Sequence, residues 1–166
     1  MNLQELAPYL PYEVKIKYLS KDIYKMVGFA NIEGVSEFVL FTDEFGELPS
    51  QYCKPILRPL SDLTKPCLED GRTPIVELGL IACRKPKWNI TLDEYNRCYI
   101  GTETNPFKYI FRYSEKENYF YCTHVRASKY RVVPYQLELF QWLYKNHFWL
   151  GDQSRFGQDI IDINSI

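Results

Sequence analysis

The sequence predicts an α+β fold: an antiparallel β-meander and a later β-hairpin packed with short helices and a long C-terminal helix. Three observations carry this reading. Apolar and polar residues alternate in three runs between residues 12 and 42. Two further alternating runs flank the polar stretch 114–118. Apolar residues then crowd positions 134–150 at helical spacing. The 166 residues suit one globular domain, residues 1–166, large enough to bury roughly 68–70% of the surface of its unfolded chain.

In chain order, Asn2 suits the cap of a short helix to about residue 8, with Leu3 and Leu6 on one side. Tyr12, Val14, Ile16 and Tyr18 then alternate with Glu13, Lys15 and Lys17, the period-two pattern of a half-buried strand. Ser20-Lys21-Asp22 reads as a turn, 23–32 as a second strand, Glu33-Gly34 as a tight turn and 35–42 as a third strand. Short connections between alternating runs make an antiparallel meander.

Residues 43–54 read as a loop. Pro55 and Pro59 suit an extended edge or irregular segment over 54–60. Ser61-Asp62 opens a helical turn that stops at Pro66. Thr73-Pro74 begins a helix through Ala82, with a short buried strand as the competing reading. Thr91 and Glu94 have capping-box spacing, which predicts a short helix over 92–99. Residues 108–113 and 119–125 form the second hairpin. Pro134 opens the longest helix, ended by Gly151. Leu137, Phe140, Tyr144 and Phe148 form one stripe on it, yet Leu139, Trp142, Leu143 and Trp149 lie off that stripe. A helix apolar on most sides is central to a core or covered by a partner. The tail 160–163 offers an edge strand.

Charge and cysteine content exclude some functions. The net charge is −1 and the pI about 6.1, whereas a general nucleic-acid binder is basic, with a pI above about 9. Nucleic acid is therefore disfavoured as a partner. The charge is polarised, however: residues 108–133 hold six basic and two acidic side chains. Cys53, Cys67, Cys83, Cys98 and Cys122 show no pair at the two-residue spacing of a zinc knuckle or redox motif. They suit reduced cysteines in an intracellular, cytoplasmic protein. The chain starts without a basic segment leading into an apolar run, and no apolar run approaches 18 residues, so neither a signal peptide nor a membrane span is expected.

No catalytic pattern emerges. The glycines are scattered rather than clustered before a helix, and no serine sits in a glycine-flanked elbow. Glu13-x-Lys15 resembles the end of a nuclease motif but lacks an acidic residue placed upstream. Cys122 and His124 would share one face of a strand, and zinc accepts both as ligands, yet no further ligands stand at a recognisable spacing. The pair reads equally as a core cysteine beside a partly exposed histidine. No metal or cofactor is expected.

Two features suggest binding. Arg126, Lys129 and Arg131 interleave with Tyr130, near Arg112 and Tyr113 on the other arm of the hairpin. Cations among aromatic rings hold phosphates and stack bases, so 108–131 is a candidate site for a nucleotide or similar anion. The same residues also describe a hairpin edge protected from aggregation by charge. Three Trp, 14 Tyr and 10 Phe make 16% of the chain aromatic. Some of these rings should be displayed, and Tyr, Trp and Arg anchor protein interfaces. Trp142, Phe148 and Trp149 are the candidate interface residues.

The sequence resembles a family of small uncharacterised proteins from phages and prophages of gut Bacteroidetes. The likeness lies in Leu10-Pro11-Tyr12, in Lys54-Pro55-Ile56-Leu57-Arg58-Pro59-Leu60-Ser61-Asp62-Leu63-Thr64 and in Pro74-Ile75-Val76-Glu77-Leu78. Leu137-Glu138-Leu139-Phe140, His147-Phe148 and Asp162-Ile163-Asn164 complete it. The resemblance implies a phage origin and an accessory protein acting inside the host cell. The expected function is non-catalytic binding of another protein, a host factor or a second copy. Sequestration of a small anionic ligand by the basic hairpin is the alternative.

Overall fold

The structure, a computed structural model, describes residues 3–19, 22–31, 38–85, 87–127 and 129–166. Backbone contacts divide the chain into two compact units: Met1–Leu60 with Leu143–Ile166, and Ser61–Trp142. Strands β1 (Lys15–Tyr18), β2 (Asp22–Asn31), β3 (Phe38–Thr42), β4 (Gly46–Pro49) and β5 (Cys53–Leu57) lie in the first unit. Strands β6 (Asn89–Leu92), β7 (Cys98–Thr102), β8 (Asn105–Ser114), β9 (Tyr119–His124) and β10 (Tyr130–Val132) follow in the second. The chain then returns to the first unit with β11 (Ile161–Asp162). Helices α1 (Pro74–Cys83) and α2 (Gln136–Lys145), with several 3-10 helices, complete the α+β fold.

The first sheet has the order β11-β5-β1-β2-β3-β4. Its meander is antiparallel, with Ile16 opposite Tyr24 and Phe29 opposite Leu40. Asn2, Ser20-Lys21, Glu33-Gly34 and the start of the third run lie outside the described residues. The N-terminal helix is a 3-10 helix that runs on to Tyr12. Glu13 follows at φ 59°, so the first strand starts only at Lys15. The expected loop 43–54 contains β4. Thr42 Oγ1 accepts from the Phe45 amide (3.0 Å) and Gly46 turns at φ 85°, which folds the chain back along β3.

Nor is 54–60 an edge, because β5 lies between β1 and β11. A proline fits there because β11 pairs only with Ile56 and Leu57, leaving Pro55 outside that register. The core gathers Leu6, Tyr9, Val14, Ile16, Met26, Leu40, Leu48, Cys53, Leu57, Trp149 and Ile160.

The second sheet runs β10-β9-β8-β7-β6, all antiparallel. The predicted hairpin is β8–β9, and α1 forms as a helix, with the left-handed Arg84 (φ 41°) ending it. The capping-box helix over 92–99 does not form. Asp93 Oδ1 instead accepts from the amides of Tyr95 (3.0 Å) and Arg97 (2.9 Å), and Asn96 sits at φ 59°. The short carboxylate thus ties a turn between β6 and β7, and Leu92 pairs with Cys98.

Helix α2 is shorter than the predicted 134–150. Tyr135, at φ 62°, holds the start back to Gln136. Beyond Lys145 the chain is drawn into hydrogen bonds of the first unit: His147 sits at φ 61° with its Nε2 on the Tyr12 carbonyl (2.6 Å). Phe148 then bridges Arg58. The helix is also one-sided. Leu139 and Leu143 are buried, while Leu137 (71% exposed), Glu138, Gln141 and Lys145 face solvent. The candidate interface is corrected accordingly. Phe148 (0%) and Trp149 (2%) are inside the structure and cannot display their rings, and only Trp142 keeps some exposed surface.

Two substitutions test this architecture. A Cβ at Gly101 would stand 2.2 Å from the Asn105 carbonyl oxygen and 2.3 Å from that of Pro106. Gly101→Ala therefore destabilises the protein by about 1–3 kcal/mol. Tyr9→Phe removes the buried donor to the Phe148 carbonyl (2.6 Å) and costs about 1 kcal/mol. Urea unfolding of both variants measures these losses.

Candidate interaction surface

Both helices of the second unit pack on one face of its sheet. Cross-strand register and alternation place Ile90, Cys98, Ile100, Tyr109, Phe111, Tyr113, Phe120, Cys122 and His124 on that face. On α1, Gly79 approaches Ile90 and Cys98, and the Cys98 thiol points to the Ile75 carbonyl (3.7 Å). On α2, the Phe140 ring meets Tyr113 (6.3 Å) and Phe120 (5.8 Å). Gln136, at the start of α2, adds a polar clamp. Its amide oxygen accepts from Phe120 N (2.8 Å) and its nitrogen donates to the carbonyls of Phe120 and Val133 (both 2.7 Å). Arg84 also pairs with Glu138 and lies over the Tyr135 ring at 4.1 Å.

The opposite face carries Tyr99, Ile110, Arg112, Tyr119, Tyr121, Thr123, Tyr130 and Val132; Tyr99 is buried, edge-on to Phe107 at 5.0 Å, and the exposed part lies over β8, β9 and β10. Arg112 stands directly opposite Tyr121, and Thr123 opposite Tyr130. Tyr121 contacts Tyr119 (5.8 Å) on one side and Tyr130 (6.3 Å) on the other, both edge-on. Tyr130 is 63% exposed, Val132 and Arg112 are exposed, and Tyr119 and Tyr121 are half-buried. Desolvation pushes the Tyr119 hydroxyl above its ordinary value, helped by Tyr130, Glu117 and Tyr121.

The structure therefore divides the six residues singled out in the basic hairpin. Arg112 and Tyr130 share the open face. Tyr113 and Arg131 belong to the other one: Tyr113 packs on Phe120 (5.0 Å) and donates to Asn118 Oδ1 (2.6 Å), and Arg131 stands opposite Cys122. Arg126 and Lys129 lie in the connection between β9 and β10. Among the described residues, Arg112, Arg126, Lys129 and Arg131 form no ion pair. Tyr119, Tyr121 and Val132 are the residues that sequence reasoning missed. Counting outward from the turn 115–118 would have paired Arg112 with Tyr121.

Cys122 and His124 do share a face, but His124 Nδ1 accepts from the Arg126 amide (3.2 Å) and its ring lies edge-on to Tyr109. Among the described residues no group of three or more His, Cys, Asp or Glu side chains is placed to hold a metal ion. No described helix is long and apolar enough to cross a membrane. No protein-family model matches the chain, no curated protein matches it in sequence, and no solved structure matches its fold.

The thiols give a testable consequence. Burial pushes Cys98 up to about 12, with Cys122 adding to the effect, and pushes Cys122 itself up to about 12, with Cys83 adding. Burial alone raises Cys53 to about 11. A raised folded-state value means that the unfolded chain loses these protons first. Stability from this source is complete below about pH 9 and is lost as pH climbs towards 12. Urea midpoints should fall over that range, and iodoacetamide at pH 8 should modify the three thiols only after unfolding.

Proposed function

We propose that this chain binds another polypeptide through the open face of β8, β9 and β10. One observation carries the reading: Arg112, which has no ion-pair partner among the described residues, stands opposite Tyr121, whose ring contacts Tyr119 on one side and Tyr130 on the other, on an exposed sheet face. Tyrosine and arginine supply large contact area with polar ends, and they dominate the energetics of protein interfaces. The tyrosine rings already brace one another, so little side-chain freedom remains to be lost on binding. Exposed Val132 gives the patch an apolar rim.

The resemblance to small phage and prophage proteins supports an accessory role in the cytoplasm of the host cell, with a host factor or a second copy as the partner. A second reading, capture of a nucleotide-like anion, draws on the cations Arg112, Arg126, Lys129 and Arg131, which form no ion pair among the described residues. Their placement on both faces and in the connecting turn supports it less well, because one compact anion would meet only some of them.

Native mass spectrometry of tagged protein, recovered from host-type lysate, tests the two readings together. The expected species is a complex with one defined polypeptide or a homodimer. Arg112→Ala with Tyr130→Ala should weaken it at least tenfold, since an interface hot spot contributes about 2 kcal/mol or more. A bound mass of a few hundred daltons, lost in Arg126→Ala with Arg131→Ala, would favour the anion instead. A monomer that captures neither would remove both.

A further inference from the structure

The outer face of the first sheet concentrates lysine in a way that segment charges conceal, since residues 1–50 hold only four basic side chains against eight acidic ones. Alternation places Ile16, Tyr18, Tyr24 and Cys53 towards the core. Lys15, Lys17, Ile23, Lys25 and Lys54 therefore share the other face. The register sets Lys15 opposite Lys25 and Lys17 opposite Lys54. Like charges directly opposed across strands are unfavourable, and here two such pairs adjoin.

Partial relief exists at the margins. Lys25 pairs with Glu13 at 2.5 Å, and Lys54 donates to the Gln158 carbonyl. Lys15 and Lys17, at the centre, have no ion-pair partner among the described residues. Ile23, directly beside Lys17, and Val27, at a bulge in β2, are exposed. The face is covered at β5, where Ile56 is buried, and open over β1 and β2, where Lys15, Ile23 and Val27 are exposed.

We infer that this face docks an acidic polypeptide segment in which carboxylates alternate with aliphatic side chains. Lys15 and Lys17 are two residues apart on a strand, about 6.6–6.8 Å, which matches the spacing of same-side carboxylates in an extended acidic chain. Ile23 and Val27 then meet its aliphatic side chains. The rows Lys54-Lys17-Ile23 and Lys15-Lys25 contain no aromatic ring, so nucleobases would find no stacking platform there. The site is separate from the tyrosine face and stands without it.

A fluorescent peptide alternating Glu and Val tests the inference, with oligothymidylate and phosphatidylserine vesicles as competitors. Expected is binding that weakens steeply with salt and falls at least tenfold in Lys15→Gln with Lys17→Gln. That double variant should also melt about 2–4 °C higher, because it relieves charge crowding. Lys15→Arg with Lys17→Arg should keep the affinity. Absence of peptide binding, unchanged affinity in the glutamine variant, or preference for oligothymidylate or vesicles would each overturn the inference. Arg112→Ala with Tyr130→Ala should leave this binding intact, and a comparable loss in that variant would overturn the assignment to the lysine face.

Discussion

The first unit depends on one closure, where the chain that left it after Leu60 comes back. Arg58 and Phe148 form a parallel bridge: the Arg58 amide donates to the His147 carbonyl (2.7 Å), and the Trp149 amide donates to the Arg58 carbonyl (2.8 Å). From this point Phe148 offers its carbonyl to Tyr9, His147 reaches the Tyr12 carbonyl, and Trp149 enters the core beside Tyr9 at 6.4 Å. Three stretches far apart in sequence are thereby held by short hydrogen bonds, of which the one from Tyr9 to Phe148 is buried. Closing so long a loop carries an entropic cost that grows only slowly with its length. The same closure ends α2, buries two rings that an amphipathic helix would have displayed, and seats the tail so that β11 can pair with β5.

Elements that depend on local rules were legible in the sequence. The meander, the 114–118 turn and α1 follow from alternation, polar turn residues and a proline at a helix start. Failures came where a competing contact, local in one case and tertiary in another, overruled the signal that spacing gave. The capping-box spacing of Thr91 and Glu94 lost to the Asp93 carboxylate, which collects two backbone amides and the Arg97 guanidinium (2.6 Å). Phe148 and Trp149 looked like the end of a helix because their spacing fits one, yet their partners lie in residues 9 and 58. The lysine pairing across β1, β2 and β5 needed the register of β5, which nothing local specifies.

Alternation is also what sorts the candidate surface. A run of cations and tyrosines reads as one patch along the chain, but strand geometry sends Tyr113 to pack against α2 and keeps Arg112 with Tyr121 and Tyr130. The packed face takes the volume of Phe111, Phe120 and Phe140, while the open face keeps rings whose hydroxyls can meet water or a partner. Aromatic content is thus divided between stabilising the sheet and presenting a surface. The first unit makes a different use of its exposed face, concentrating positive charge at some cost in repulsion.

The claim that matters most is that the tyrosine face makes the contact with a partner. Replacing Tyr130 by a photoreactive phenylalanine analogue keeps a ring at that position, and Leu137 on α2 offers an equally exposed control. Irradiation in host-type lysate should crosslink position 130 to one defined polypeptide, or to a second copy, and leave position 137 unlinked. Equal crosslinking at both positions, or none at 130, would contradict the account.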